Sequence, residues 1–180
     1  VNSLQLLGLK HSGKSSVGQL WAERHGWRFF DLDALLEQQA GGERTSRQIY
    51  AQEGKAGFQG YETAAARRVR GTLAEGQAVL AWGGGTVTNG EAVEALRAQG
   101  VLVVLNDQPE VLYERILRSG RPAFLSEDHP WEDFQAIYAE RTALLRRLTP
   151  WWLDLDGATA EQACDQLEHL WKQLPGTGKA

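Results

Sequence analysis

The stretch Gly8-Leu9-Lys10-His11-Ser12-Gly13-Lys14-Ser15 limits what this chain can fold into more than any other. Two glycines bracket four residues, with Lys and Ser directly after them, which is the pattern of a phosphate-binding loop. An apolar run, Leu4 to Leu7, leads into it, and a helical spacing (Val17, Leu20, Trp21) follows within Ser16 to Arg24. Strand, glycine loop and helix is the order the chemistry requires. Successive backbone N–H groups wrap phosphate oxygens, and the helix N-terminus adds the positive end of its dipole. His11, Ser12, Gly13, Lys14, Ser15 and Ser16 are therefore candidate nucleotide-binding residues. Lys14 would reach the β- and γ-phosphates, and the Ser15 hydroxyl would ligate Mg²⁺. A plain glycine turn between strand and helix is the blander reading, and the flanking pattern argues against it. Gly176-Thr177-Gly178-Lys179 has a similar look but no strand before it and no helix after it, so it is a decoy.

Beyond the loop, short apolar runs recur at Trp27 to Phe30, Ala78 to Trp82, Val101 to Leu105 and Trp151 to Leu155. They lack strict alternation, as strands buried on both faces do. Helical spacings lie between them: Val93, Leu96 and Arg97 with Gly100 as a stop; Leu112, Ile116 and Leu117; Cys164, Leu167, Leu170 and Trp171. Alternation of this kind predicts an α/β fold, a parallel five-stranded sheet flanked by helices, in one domain. Ala40 to Glu75 breaks the rhythm with two helical stretches and no strand between them. Such an insertion either covers a substrate or simply packs on the fold, and the helical segment at about 33–62 is assigned the first part. Arg118 to Pro130 is a polar loop in which Gly120, Pro122 and Pro130 exclude a continuous helix.

The formal charge of −4 removes the case for a dedicated nucleic-acid binder. Cys164 is the only cysteine, so neither an internal disulfide nor a cysteine zinc site is available. The longest aliphatic run, Val101 to Leu105, is far too short to span a bilayer. With no basic-then-apolar leader at the start, a cytoplasmic protein is expected.

Asp31-Leu32-Asp33 follows the second apolar run, and Gly83-Gly84-Gly85 ends the third. In a parallel sheet the carboxyl ends of neighbouring strands open on one crevice, beside the phosphate loop. Residues two apart on an extended segment point the same way, so both acids can face one site. Asp31 could hold a Mg²⁺-bound water, and Asp33 could bind or deprotonate a hydroxyl acceptor. Asp33 also reads as a helix N-cap before Ala34-Leu35-Leu36-Glu37, and the two roles can coexist. Three adjacent glycines cost backbone entropy, and a ligand approaching the main chain is the natural reason for them.

In combination these residues resemble the shikimate kinases. The resemblance rests on the phosphate loop, Phe30-Asp31-Leu32-Asp33, Glu53-Gly54 leading to Phe58 and Glu62, the glycine triplet, Arg121-Pro122 and Glu140-Arg141. It implies the nucleoside-monophosphate-kinase-like type of P-loop fold with a lid loop at about 118–130. It also implies ATP and Mg²⁺ as cofactors, a monomer, and phosphorylation of the shikimate 3-hydroxyl in aromatic amino-acid biosynthesis. Lys14, Asp33 and Arg121 carry over as catalytic residues, with Ser15 and Asp31 at the metal. Arg121 comes from the lid and Arg115 packs on adenine; Asp33, Gln59, Gly83, Gly84, Gly85 and Arg141 contact the acceptor. This chain departs from the family at three positions. His11 replaces a loop glycine, Leu145 a tyrosine, and Gln59 an arginine that faces the substrate carboxylate. Lys55, four residues before Gln59, is expected to return a cation to that face. The rivals are a kinase of the same fold for another small polyol, favoured by Gln59, and an ATP-binding regulatory protein that has lost catalysis. Retention of Lys14, Ser15, Asp31, Asp33 and Arg121 speaks against the second.

Overall fold

The computed structural model describes residues 3–122, 124–174 and 177. Gly176, Gly178 and Lys179 of the decoy motif, and Ala123 of the expected lid, lie outside the described residues. Five strands, β1 (Ser3–Leu7), β2 (Arg28–Asp31), β3 (Ala78–Ala81), β4 (Val101–Asn106) and β5 (Trp152–Asp154), form one sheet in the order β2-β3-β1-β4-β5. Every pairing is parallel, with Leu6 opposite Ala81 on one side and Val103 on the other. The apolar runs thus became strands, with ends moved by a residue or so. β2 runs on to Asp31, and β5 stops at Asp154.

Among the described residues seven α-helices flank the sheet: α1 (Lys14–His25), α2 (Leu32–Gln39), α3 (Ser46–Glu75), α4 (Gly90–Leu96), α5 (Pro109–Arg118), α6 (Pro130–Leu148) and α7 (Ala160–Gln173). Side chains alternate across the sheet and so feed two cores. Leu7, Leu80 and Val104 pack on the α2, α3, α4 and α6 side, while Leu6, Val79, Val103 and Leu105 meet α1 and α7. Trp21 of α1 and Leu167 and Cys164 of α7 are fully enclosed there. Burial on this scale is worth about 1.5–3 kcal/mol per large apolar side chain, so α7 is an integral layer of the fold.

Helix starts follow local chemistry. Thr45 and Gln48 form a reciprocal capping box at α3, and Thr159 and Gln162 another at α7. Pro109 and Pro130 open α5 and α6. The two helical stretches expected between Ala40 and Glu75 are both inside α3, joined at Gly54, whose φ of 67° and ψ of −175° kink the helix. The chain order places β1 between β3 and β4, so connections leave it in opposite directions and a crevice opens at its carboxyl end.

Candidate active site

The phosphate loop fills that crevice. A Cβ on Gly8 would fall 2.3 Å from the Leu105 carbonyl oxygen and 2.6 Å from Ser12 Oγ, so only glycine fits there. His11 has a φ of 63°, a left-handed conformation that costs a side chain energy. Two contacts hold it: its ring Nε2 is 2.9 Å from Ser119 Oγ, and its carbonyl accepts from Arg115 Nη1 at 3.2 Å. Burial, followed by the nearby charges of Lys10, Lys14 and Arg115, lowers the His11 pKa. The Lys14 ammonium is buried and donates to the Leu9 carbonyl at 2.7 Å. Burial drops its pKa to about 8, outweighing the attraction of Asp33 and Asp31.

At the other side of the loop, Ser15 Oγ donates to Asp31 Oδ2 at 2.5 Å. Asp31 Oδ1 accepts from the backbone N–H groups of Asp33 (2.9 Å) and Ala34 (3.3 Å). The N-cap of α2 is therefore Asp31, and the cap expected at Asp33 is two residues too late. Both carboxylates do face one cleft, but across a strand-to-helix turn and not along an extended segment. Burial, and then repulsion from Asp31, push the Asp33 carboxyl up to about 6, against the pull of Lys14. A carboxylate held there can take or release a proton near neutrality.

The glycine triplet has an internal reason for its composition. A Cβ on Gly83 would meet Asp33 Oδ1 at 2.6 Å, and one on Gly84 would meet the Lys10 backbone nitrogen at 2.8 Å. The atoms that approach these glycines belong to the chain itself, and they are the acidic residue and the phosphate loop. Gly85 has ordinary room, with Arg141 Nη2 at 3.6 Å from its would-be Cβ. Arg141 Nη1 donates to the Gly84 carbonyl at 3.0 Å, while its Nε is enclosed without a partner. Behind the triplet, buried Glu62 accepts from Thr86 Oγ1 at 2.5 Å and Asn89 Nδ2 at 2.8 Å. Burial raises the Glu62 pKa, and those two donors pull it back.

These parts enclose a cleft of about 700 Å³. It joins His11 through Ser16 with Asp31, Asp33, Gly84 and Arg115, as the sequence reading grouped them. Lys10, Trp82, Arg118, Ser119 and the Leu155–Ala160 region line it too, and sequence reasoning gave none of these a role. Trp82 is buried, its indole N–H donating to Gln5 Oε1 at 2.7 Å. Glu62 was also without a role. Its signal is a charged residue on the inner face of α3, where Thr63, Ala65, Ala66 and Val69 are all buried. Gly83, Gly85 and Arg141 adjoin Gly84 and are not among the residues that line the cleft. Gln59 is half-buried and donates to the Thr88 carbonyl at 3.4 Å. Arg121 turns onto its own loop, bonding the Ser126 carbonyl at 3.1 Å and Glu127 at 2.5 Å. Leu145 is core.

The family model for shikimate kinase matches residues 10–171. A shikimate kinase of Symbiobacterium thermophilum is 40% identical over 141 residues, covering 77% of this chain and 78% of that protein. One from Pelotomaculum thermopropionicum is 29% identical over 173 residues, covering 96% of this chain and 97% of its own. Among solved structures, the shikimate kinase from Acinetobacter baumannii in complex with shikimate superposes with a TM-score of 0.84 at 26% identity. The match covers 94% of this chain and 92% of that one.

Proposed function

The chain belongs to the shikimate kinase family, and from that premise we propose that it transfers the γ-phosphoryl group of ATP to the 3-hydroxyl of shikimate. The observation that carries this reading is the convergence of Lys14, the Ser15–Asp31 pair, Asp33 and Gly84 on one cleft. Phosphoryl transfer asks a protein mainly for positioning and charge neutralisation, and this set supplies both. The Ser15 hydroxyl and the Asp31 carboxylate are hard oxygen donors that fit Mg²⁺, directly or through water. Held there, Mg²⁺ would neutralise phosphate charge.

The remaining work falls to the chain. Lys14 exchanges its Leu9 carbonyl for the β- and γ-phosphate oxygens, which are stronger acceptors. Asp33 accepts the hydrogen bond of the acceptor hydroxyl. As that oxygen bonds to the γ-phosphorus, the bond to the β–γ bridging oxygen breaks, ADP leaves, and the proton passes to Asp33 and then to water. Arg141 pairs with the shikimate carboxylate, and Gln59 offers a neutral donor beside it. The α2–α3 segment at about 33–62 covers the acceptor. The 118–130 lid carries Arg121 to the phosphates and excludes water that would otherwise hydrolyse ATP. We assign the protein to the cytoplasm as a monomer, as the family resemblance implies. Among the described residues no helix is long and apolar enough to cross a membrane.

A coupled assay of ADP release tests the proposal. Release is expected to depend on shikimate, with a phosphorylated product formed in equal amount. Equal or faster release with quinate or gluconate would assign another polyol, and ATP binding without any phosphorylated product would assign a regulatory role.

A further inference from the structure

Asp107 immediately follows β4 at the carboxyl edge of the sheet, and its side chain is wholly enclosed, with 0% exposed. A carboxylate removed from water in this way costs free energy unless it is fully partnered. Its partners come from two separate parts of the fold. Oδ1 accepts from the backbone N–H of the adjacent Gln108 at 2.9 Å and from that of Gly157 at 3.2 Å. Oδ2 lies 3.1 Å from Arg115 Nη2, off the line of a directed hydrogen bond, so that contact is ionic.

The groups held both belong to the lining of the cleft. Arg115 lines it from α5, and Leu155, Ala158 and Thr159 line it from the turn that contains Gly157. Arg115 also donates to the His11 carbonyl, so its guanidinium is fixed between the buried acid and the phosphate loop. An exposed ion pair would fix little, but here the acid is enclosed and its partner mostly so. The carboxylate does nothing for the reacting atoms. What it does is tie Arg115 and the turn that contains Gly157 to one anchor.

We propose that Asp107 is a positioning residue for the base of the nucleotide, holding the Arg115 guanidinium and the 155–159 turn as the two sides of the base site. This rests on the reading of the cleft as an ATP site.

Equilibrium binding of ADP and of inorganic tripolyphosphate separates the base end from the phosphate end. In Asp107→Asn the amide oxygen keeps the Gly157 contact while the ionic hold on Arg115 is lost. ADP is expected to bind about tenfold more weakly, tripolyphosphate within about twofold of wild type, and the shikimate KM to stay constant. Arg115→Lys, which keeps the charge but not the flat fork, is expected to give the same selective loss. In an Arg115→Ala background, Asp107→Asn should add nothing. A purely structural Asp107 would weaken both ligands alike, or neither, and either result overturns the proposal. So does additivity in the double variant. Should Asp107→Asn not fold, an Arg115→Lys protein with unchanged ADP affinity overturns it equally. A wild type that bound neither ligand would overturn the nucleotide reading itself, together with this proposal.

Discussion

Asp31 accepts the backbone N–H of Asp33 at 2.9 Å, and by capping α2 it leaves the Asp33 carboxylate free for the cleft. The two acids therefore answer differently to removal. Asp31→Ala loses a helix cap, which costs about 0.5–2 kcal/mol of stability, and loses turnover as well. Asp33→Asn loses turnover but no cap, and it removes a charge that burial disfavours. Its stability at neutral pH should equal or exceed that of wild type. Urea unfolding of both variants checks this. A larger destabilisation in Asp33→Asn than in Asp31→Ala would put the cap at the wrong residue.

Glu62 supplies a pH dependence of stability. Its folded pKa is raised, chiefly by burial, above the ordinary 4.5. A raised carboxyl pKa means that the native state holds the proton more tightly than the unfolded chain. The stability it contributes is complete below 4.5 and is lost as pH climbs through the folded value. Gln cannot ionise, so the penalty of Glu62→Gln should shrink between about pH 5 and about pH 8, as read from unfolding free energies at each. A penalty that grew with pH would mean that Thr86 and Asn89 stabilise the carboxylate by more than burial costs it.

Legibility of this fold from sequence followed the range of the interactions. The phosphate loop reads directly because its strand, glycines and helix are contiguous. The strands read because a run such as Val101 to Leu105 is buried on both faces and carries no competing helical spacing. The kink at Gly54 and the cap at Asp31 are local, yet each turns on which of two close residues takes a backbone role. Glu62 and Asp107 could not be read, since Thr86, which bonds Glu62, and Gly157, which bonds Asp107, lie 24 and 50 residues away and only the folded chain brings them close. The glycine triplet was legible as a close approach, but not as one made by Lys10 and Asp33.

Arg121 makes its ion pair with Glu127, whose side chain is 85% exposed. A pair in that setting is worth about 0–1 kcal/mol, so little would hold the arginine back from the phosphates in the proposed mechanism. Arg121→Ala should lower turnover far more than it raises the shikimate KM, because a lid cation interacts most strongly with charge in the transition state. Glu127→Gln should leave turnover within about fivefold of wild type, with any change an increase. Steady-state kinetics of both variants decide it. A rise confined to the acceptor KM in Arg121→Ala would move this residue to the acceptor site.

In the proposed complex the acceptor carboxylate would meet an uneven set of donors. Arg141 is the cation beside the glycine triplet, and its enclosed Nε has no partner within the protein. Gln59 contributes only an amide, already directed at the Thr88 carbonyl. Glu62, three residues further along α3, adds a negative charge behind the same region. Removing one charged partner from a buried carboxylate costs about 2–5 kcal/mol, so an enzyme lacking it should bind shikimate weakly. Lys55 is exposed and begins the part of α3 beyond the Gly54 kink, one helical turn before Gln59. That spacing gives it the same face, with a long stem but a solvated charge. The two positions should therefore differ in size of effect. Gln59→Arg restores a guanidinium beside the carboxylate and should lower the shikimate KM about tenfold or more, with the ATP KM unchanged. Lys55→Ala should raise it by no more than about fivefold, as expected for a solvent-screened cation. The two substitutions test one electrostatic account: if neither moves the shikimate KM, the carboxylate does not lie on this face of α3, and Arg141 receives it from the other side.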